Sequence, residues 1–369
     1  MPRETAGGPA RPRRDSGVMG KRSRLIVTAL GCGLAAYLFA RLFAHTGAAA
    51  TWNALASGGP LTALAIAPFA LGMTVDAFGS VLLLRALGSA TTLAQMLPVR
   101  IASEALHSSV PAGFVASDTA TAVLLEAREV PLRDGVVASI ARKWLVMRAH
   151  AIYIAVGAIV GFAALAESSH RLLGGGSLPW IVLASALIPL GASCALGAGL
   201  LGRSTFTRLH RVLASLPSRR VRRWADARRH EAVTTDAQVA RLRAARLATG
   251  AATVVFLGSW CVEALESALL LRLVGADVPF AAVVAVEAGL SLVRSLAVVA
   301  PSGLGVVDFG YATVLPVVGA DSASAAAFVV LKRAKELAWV AVGYAILGTL
   351  RGRAPLMAST TTSSATLAG

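Results

Sequence analysis

Charge is what this sequence has least of. Charged residues make up 15% of its 369 residues, where a soluble domain carries about a quarter. With 56% hydrophobic residues and a mean hydropathy of +0.69, the chain reads as a polytopic membrane protein. Acidic residues are scarcer still, 19 against 35 basic ones, which leaves a net charge of +16. Most of that excess lies in the flanks and one loop, where the positive-inside rule puts it. No nucleic-acid-binding module accompanies it, so nucleic acid is not an expected partner. Cysteine is limited to three residues, Cys32, Cys194 and Cys261, all within apolar spans. Such a set excludes a disulfide framework, and the three are expected to be small buried residues. Nucleotide and metal motifs are missing too. There is no Walker sequence or His-Glu-x-x-His, and His150 and His170 lack metal-ligand spacing. Gly303-x-Gly305 with Gly310 follows no soluble strand and lacks the third glycine at the required spacing. No cofactor, metal or ATP use within the chain is expected.

The sequence is organised around one stretch, Ala300 to Asp308, with Pro301, Gly303, Gly305 and Asp308 inside a long apolar region. Proline there removes an N–H and clashes with the preceding turn, so the helix must break. In lipid a broken backbone survives only where protein or a water-filled cavity satisfies it. The same device occurs earlier as Pro111-Ala112-Gly113 with Asp118. A basic pair follows each break, Arg142-Lys143 and Lys332-Arg333, and all five positions align at one offset of 190 residues. The alternative is two unrelated breaks in a Gly-rich membrane chain.

The pattern along the chain predicts an all-α membrane protein with about six full spans and two re-entrant helical hairpins in an inverted repeat. Residues 1–24 read as a disordered basic cytoplasmic tail. A first membrane half follows over 25–202, with its hairpin at 91–128. It opens on an uncleaved apolar helix, Leu25 to Ala44, and its next span carries Asp76 near the middle. Glu167 to Ser177 reads as a short Gly-rich loop. Residues 203–246 form a basic cytoplasmic loop that includes Arg203, Arg219, Arg220, Arg223, Arg228 and Trp224. Arginine mixed with Leu, Val and Trp suits contact with anionic lipid headgroups. The second half covers 247–351, with its hairpin at 278–318. Glu263 and Glu266, three residues apart, share one helix face. A disordered tail is expected over 352–369.

Orientation follows from charge. With the N-terminus inside, six crossings and two hairpins put the 203–246 loop, Arg351 and Arg353 on the cytoplasmic side, together with Arg85, Arg128 and Arg133. Both termini are then cytoplasmic, and the hairpins enter from opposite faces. Inverted repeats whose broken helices meet near the midplane are a transporter architecture.

Two stretches carry a family resemblance. Arg100-Ile-Ala-Ser-Glu104-Ala-Leu-His107-Ser-Ser-Val-Pro111 resembles the R-x-x-x-E-x-x-N-x-x-x-P hairpin of the lysylphosphatidylglycerol synthase transmembrane (flippase-like) family. Glu287 to Arg294 followed by Pro301-Ser-Gly-Leu-Gly-Val-Val-Asp308 resembles its second signature, P-x-x-L-G-x-x-E. His107 replaces Asn, and Asp118 and Asp308 stand where the family usually has Glu. The Arg294 and Lys332-Arg333 context is most similar to the branch associated with hopanoid biosynthesis and transport. The resemblance implies lipid translocation in a bacterial inner membrane, without the soluble synthase domain of bifunctional members.

The expected substrate site joins both breaks. Arg100, Arg142, Lys143, Arg294, Lys332 and Arg333 would supply cations to an anionic or strongly polar headgroup. Glu104, Asp118, Glu287 and Asp308 would orient them or carry a coupling proton. Pro111, Gly113, Pro301, Gly303 and Gly305 would shape the breaks, whose helix N-termini point positive dipole ends inward. Asp76, Glu263 and Glu266 are candidates for proton relay or for structural hydrogen bonds. The function expected is translocation of a polar-headed lipid or hopanoid-type amphiphile, without enzymatic activity. Alternatives are a carrier for polyprenyl phosphate or phospholipid, a membrane enzyme with Asp118 or Asp308 as base, and a scaffold recruiting lipid-synthesis enzymes through the 203–246 loop.

Overall fold

A computed structural model describes residues 48–360, apart from 110–112, 203, 216–217, 219–221, 223–228, 297–302 and 304. The first tail, the apolar run Leu25 to Ala44, Cys32, Pro111, Pro301 and much of the arginine cluster around Trp224 lie outside the described residues. Among those residues the secondary structure is helical and no strand occurs.

Helix α1 (Ala48–Ser57) leads through a 3-10 turn (Gly59–Ile66) into α2 (Ala67–Ala86). Two short helices follow, α3 (Leu93–Ser109) and α4 (Gly113–Glu126), on either side of the Pro111 break. The long α5 (Leu132–Val160) comes next, then α6 (Phe162–Leu173), α7 (Leu178–Ser185) and α8 (Leu187–Leu201). The basic region carries α9 (Thr205–Ser215) and α10 (Arg229–Ala244). The second half repeats the first, with α11 (Arg246–Leu273), short α12 (Phe280–Leu296) and α13 (Val306–Val314) around the second break, and long α14 (Ser322–Thr360). The first residues of α5 and α14, Leu132 and Ser322, stand 190 positions apart, the offset of the sequence repeat.

Packing follows the repeat. Helix α2 lies along α11, α4 along α5, and α13 along α14. Each long helix also crosses to the other half, α5 onto α12 and α14 onto α3. Hydrophobic burial drives little association between helices in lipid, so close approach of small residues has to do it. The crossings show this. A Cβ at Gly157 of α5 would stand 2.7 Å from Ala288 Cβ, and one at Gly343 of α14 would stand 2.5 Å from Ala105 Cβ. One core cluster centres on Leu83, Leu84, Met96 and Leu145, and a second on Leu270, Tyr311 and Phe328. The outer surface stays apolar: Ile159, Trp180, Leu247 and Val254 are exposed, as a lipid-facing surface requires.

Among the described residues four helical stretches are long and apolar enough to cross a membrane, Gly59–Ala86, Leu132–Val160, Leu178–Leu200 and Arg246–Leu273. Helix α14 is longer, 39 residues, but holds Lys332, Arg333, Lys335 and Glu336 in succession.

Two expectations, the Glu167 loop and the buried cysteines, are corrected. The stretch from Glu167 is helical up to Leu173, because Glu167 pairs with Arg171 one turn on at 2.8 Å and Gly174, at φ +72, ends the helix. Helix α14 is drawn through Thr360. Cys194 and Cys261 are exposed, because their helices turn those positions outward.

Candidate functional site

A cavity of about 490 Å³ lies between the two halves. Its walls come from α2, α3, α4 and α5 of the first half and α11, α12, α13 and α14 of the second. In a bundle this apolar, charges have only such an interior to face.

In the first half, Asp76 from α2 is the hub. Its carboxylate accepts from Arg100 Nε at 2.9 Å and from Arg142 at 2.9 and 2.5 Å. The Arg142 contact is bidentate, the geometry in which guanidinium and carboxylate match best. Arg100 also reaches Glu104, one turn along α3, at 2.5 Å. Lys143 pairs with Asp118 of α4.

The second half builds its counterpart with different residues. Lys332 donates to Glu287 at 3.1 Å, to Ser267 Oγ at 3.1 Å and to Tyr311 Oη at 2.9 Å. Tyr311 in turn donates to Glu287 at 2.8 Å. Arg294 holds Glu263 at 2.8 Å and lies 3.5 Å from Glu287. Arg333 pairs with Asp308 at 2.7 Å and with Glu336, and Lys335 pairs with Glu266.

The second break has its own logic. Gly303 and Gly305 have φ +64 and +83, a region other residues enter at a cost. Asp308, in the first turn of α13, accepts the Gly305 N–H at 2.7 Å. A carboxylate there satisfies an orphan donor and complements the helix dipole. The positive end of α13 is therefore partly occupied by the protein's own anion, not left open for a ligand as the sequence suggested.

Of the residues singled out from sequence, Arg100, Glu104, Gly113, Asp118, Arg142, Lys143, Arg294, Gly303, Asp308, Lys332 and Arg333 line this one cavity. Gly305 lies just behind Asp308, and Pro111 and Pro301 fall outside the described residues. Asp76, Glu263 and Glu266 line the wall directly, and Asp76 takes the most central place of the three. Sequence reasoning missed Lys335, Glu336, Tyr311, Trp260 and Trp339. One signal was available: Asp76 and Glu266 also stand 190 residues apart, so the repeat extends upstream of the breaks. Tyr311 offered none, because only the fold brings its hydroxyl to Lys332 and Glu287.

Beside Arg294 lies a polar aromatic group. His150 stacks on Trp260 at 4.0 Å, with Tyr153 next to it at 5.9 Å. His150 Nε2, Tyr153 Oη and Trp260 Nε1 are buried without a hydrogen-bond partner among the described residues. No cluster of three or more His, Cys, Asp or Glu side chains there could hold a metal ion. The cavity can bind and neutralise a charged group through Arg, Lys, Asp and Glu alone.

Residues 28–343 match the family model described as the lysylphosphatidylglycerol synthase TM region. No curated protein and no solved structure gives a significant match. The match spans most of the chain and covers every cavity residue named above.

Proposed function

This chain belongs to the lysylphosphatidylglycerol synthase transmembrane-region family and is a membrane-embedded helical protein of lipid-related processes; we propose that it translocates a polar-headed lipid, or a hopanoid-type amphiphile, between leaflets or membranes. One observation carries this reading. Broken helix pairs from two halves related by one sequence offset meet at a single charged cavity of about 490 Å³. A headgroup would enter that cavity while its tail stays in lipid, and alternating access would follow from rocking one half against the other. In this reading α3–α4 and α12–α13 are re-entrant hairpins from opposite faces. The apolar run Leu25 to Ala44, the four apolar stretches and α14 are the six crossings. The membrane is a bacterial inner membrane, with both termini cytoplasmic and the basic 203–246 region on anionic headgroups. Polyprenyl phosphate or phospholipid is an alternative cargo.

An enzymatic role for Asp118 or Asp308 is less well supported. Each carboxylate is engaged by a cation, Lys143 or Arg333, and Asp308 also holds the Gly305 N–H.

The test is lipid scrambling in proteoliposomes. Arg294→Ala and Asp308→Asn should each lower translocation at least tenfold with the fold intact by circular dichroism. Product formation from a lipid-linked substrate without lipid movement would favour the enzyme. Wild-type rates in both variants, with partner binding lost on deleting 203–246, would favour a scaffold.

A further inference from the structure

His107 and Tyr311 apart, the titratable side chains lining the cavity divide into seven cations and seven carboxylates. Each of the fourteen lies within an ion pair. The lining therefore carries no net charge, and Glu287, just behind Lys332, tips its surroundings to the negative side.

A lining balanced in charge discriminates between headgroups. An anion can reach a cation only by evicting the carboxylate already there, which leaves that carboxylate without a partner in a partly enclosed site, at a cost. A cation does the reverse. A headgroup carrying one charge of each sign can exchange partners and leave every charge matched.

The exposures say where this exchange can occur. In only two of the cavity pairs are both side chains at least a quarter exposed: Lys143–Asp118 at 25% and 30%, and Arg294–Glu263 at 28% and 30%. One pair belongs to each half. The remaining pairs include Lys335–Glu266, 4% exposed on both sides, and Lys332–Glu287 at 9% and 3%.

Resting on the lipid-binding reading of the cavity, we propose that its ligand is a zwitterionic amphiphile, with phosphate and amine in one headgroup of zero net charge. Its phosphate takes a carboxylate's place at Lys143 or Arg294, and its amine takes a cation's place at Asp118 or Glu263. The four residues set specificity by sign and not by shape alone.

The full chain, purified in detergent, is titrated with phosphatidylethanolamine and phosphatidylglycerol of matched acyl chains, and retained lipid is counted by native mass spectrometry. Phosphatidylethanolamine should be retained about tenfold more strongly. Asp118→Asn takes the lining to seven cations against six carboxylates and should move the ratio about tenfold toward phosphatidylglycerol. Glu263→Gln should do the same, which guards against one variant failing to fold. Lys143→Gln should move the ratio the other way. A purely structural role would lower retention of both lipids and leave their ratio alone, and that result overturns the proposal. Equal or stronger retention of phosphatidylglycerol by the unaltered protein overturns it as well. Proteoliposomes keep the two readings apart. Movement of phosphatidylglycerol with an unresponsive ratio removes the zwitterion and leaves translocation standing. A responsive ratio with no lipid crossing upholds the zwitterion and removes translocation.

Discussion

Lys143 and Arg333 hold equivalent places in the two halves: each pairs with the aspartate twenty-five residues before it, Asp118 and Asp308. Their surroundings differ. The Lys143 and Asp118 side chains are 25% and 30% exposed, the Arg333 and Asp308 side chains 11% and 6%.

That difference predicts unequal stability effects. Asp308→Ala removes one of the two carboxylates on a buried guanidinium, leaving Glu336, and also the acceptor for the Gly305 N–H, and should cost about 2–3 kcal/mol. Asp118→Ala, at a more open pair, should cost about 1 kcal/mol. Thermal unfolding of the two variants in the same detergent, read as the difference in midpoint, checks this. Equal midpoints would sink the asymmetry.

The Lys335–Glu266 pair is the most enclosed of the cavity's ion pairs. Lys335→Met alone should destabilise by about 3–5 kcal/mol, because it strands a buried carboxylate. Adding Glu266→Leu should recover most of that loss, since an apolar pair of similar volume is often neutral. The double-variant cycle measures the coupling directly.

Helices α14 and α3 touch where Gly343 meets Ala105 and Ile101. Gly343→Val should push the crossing apart and cost about 1–3 kcal/mol. A Cβ at Gly348 of the same helix meets nothing within 4 Å, so Gly348→Ala should raise the midpoint slightly, by about 0.5–1 kcal/mol of helix propensity. The pair separates packing from helix propensity.

The N-terminus of α14 carries a pH signature. Asp321 accepts the Ser324 N–H at 2.9 Å and the Ser324 hydroxyl at 2.6 Å, and these bonds hold its carboxyl below the usual range. A group depressed in the folded state adds stability that is present above its unfolded pKa and lost as pH falls through the folded one. Lowering the pH through that window should fray the first turn in the wild type and change little in Asp321→Asn. Amide exchange at Ala323 to Ala325 reads it out.

Topology is directly measurable. Cysteines at Ala90 and Ala127, both exposed, should label from one membrane face. Cysteines at Asp277 and Asp321, also exposed, should label from the other. Labelling either pair from opposite faces would turn that hairpin into a full crossing and undo the inverted repeat.

The two breaks, the 190-residue offset and the charged helix behind each break were legible in sequence, because Pro, Gly and an intramembrane charge act locally. A helix that cannot continue is written in a few residues, and so is the membrane, in the shortage of charge. The partners of those charges were not legible. Periodicity gives the face a side chain occupies, but not the helix that face meets. Lys335 finds Glu266 across 69 positions and Tyr311 joins Lys332 to Glu287 only because α11, α12, α13 and α14 cross at one place. Composition supplies the charges of both signs, while helix packing decides which of them face each other.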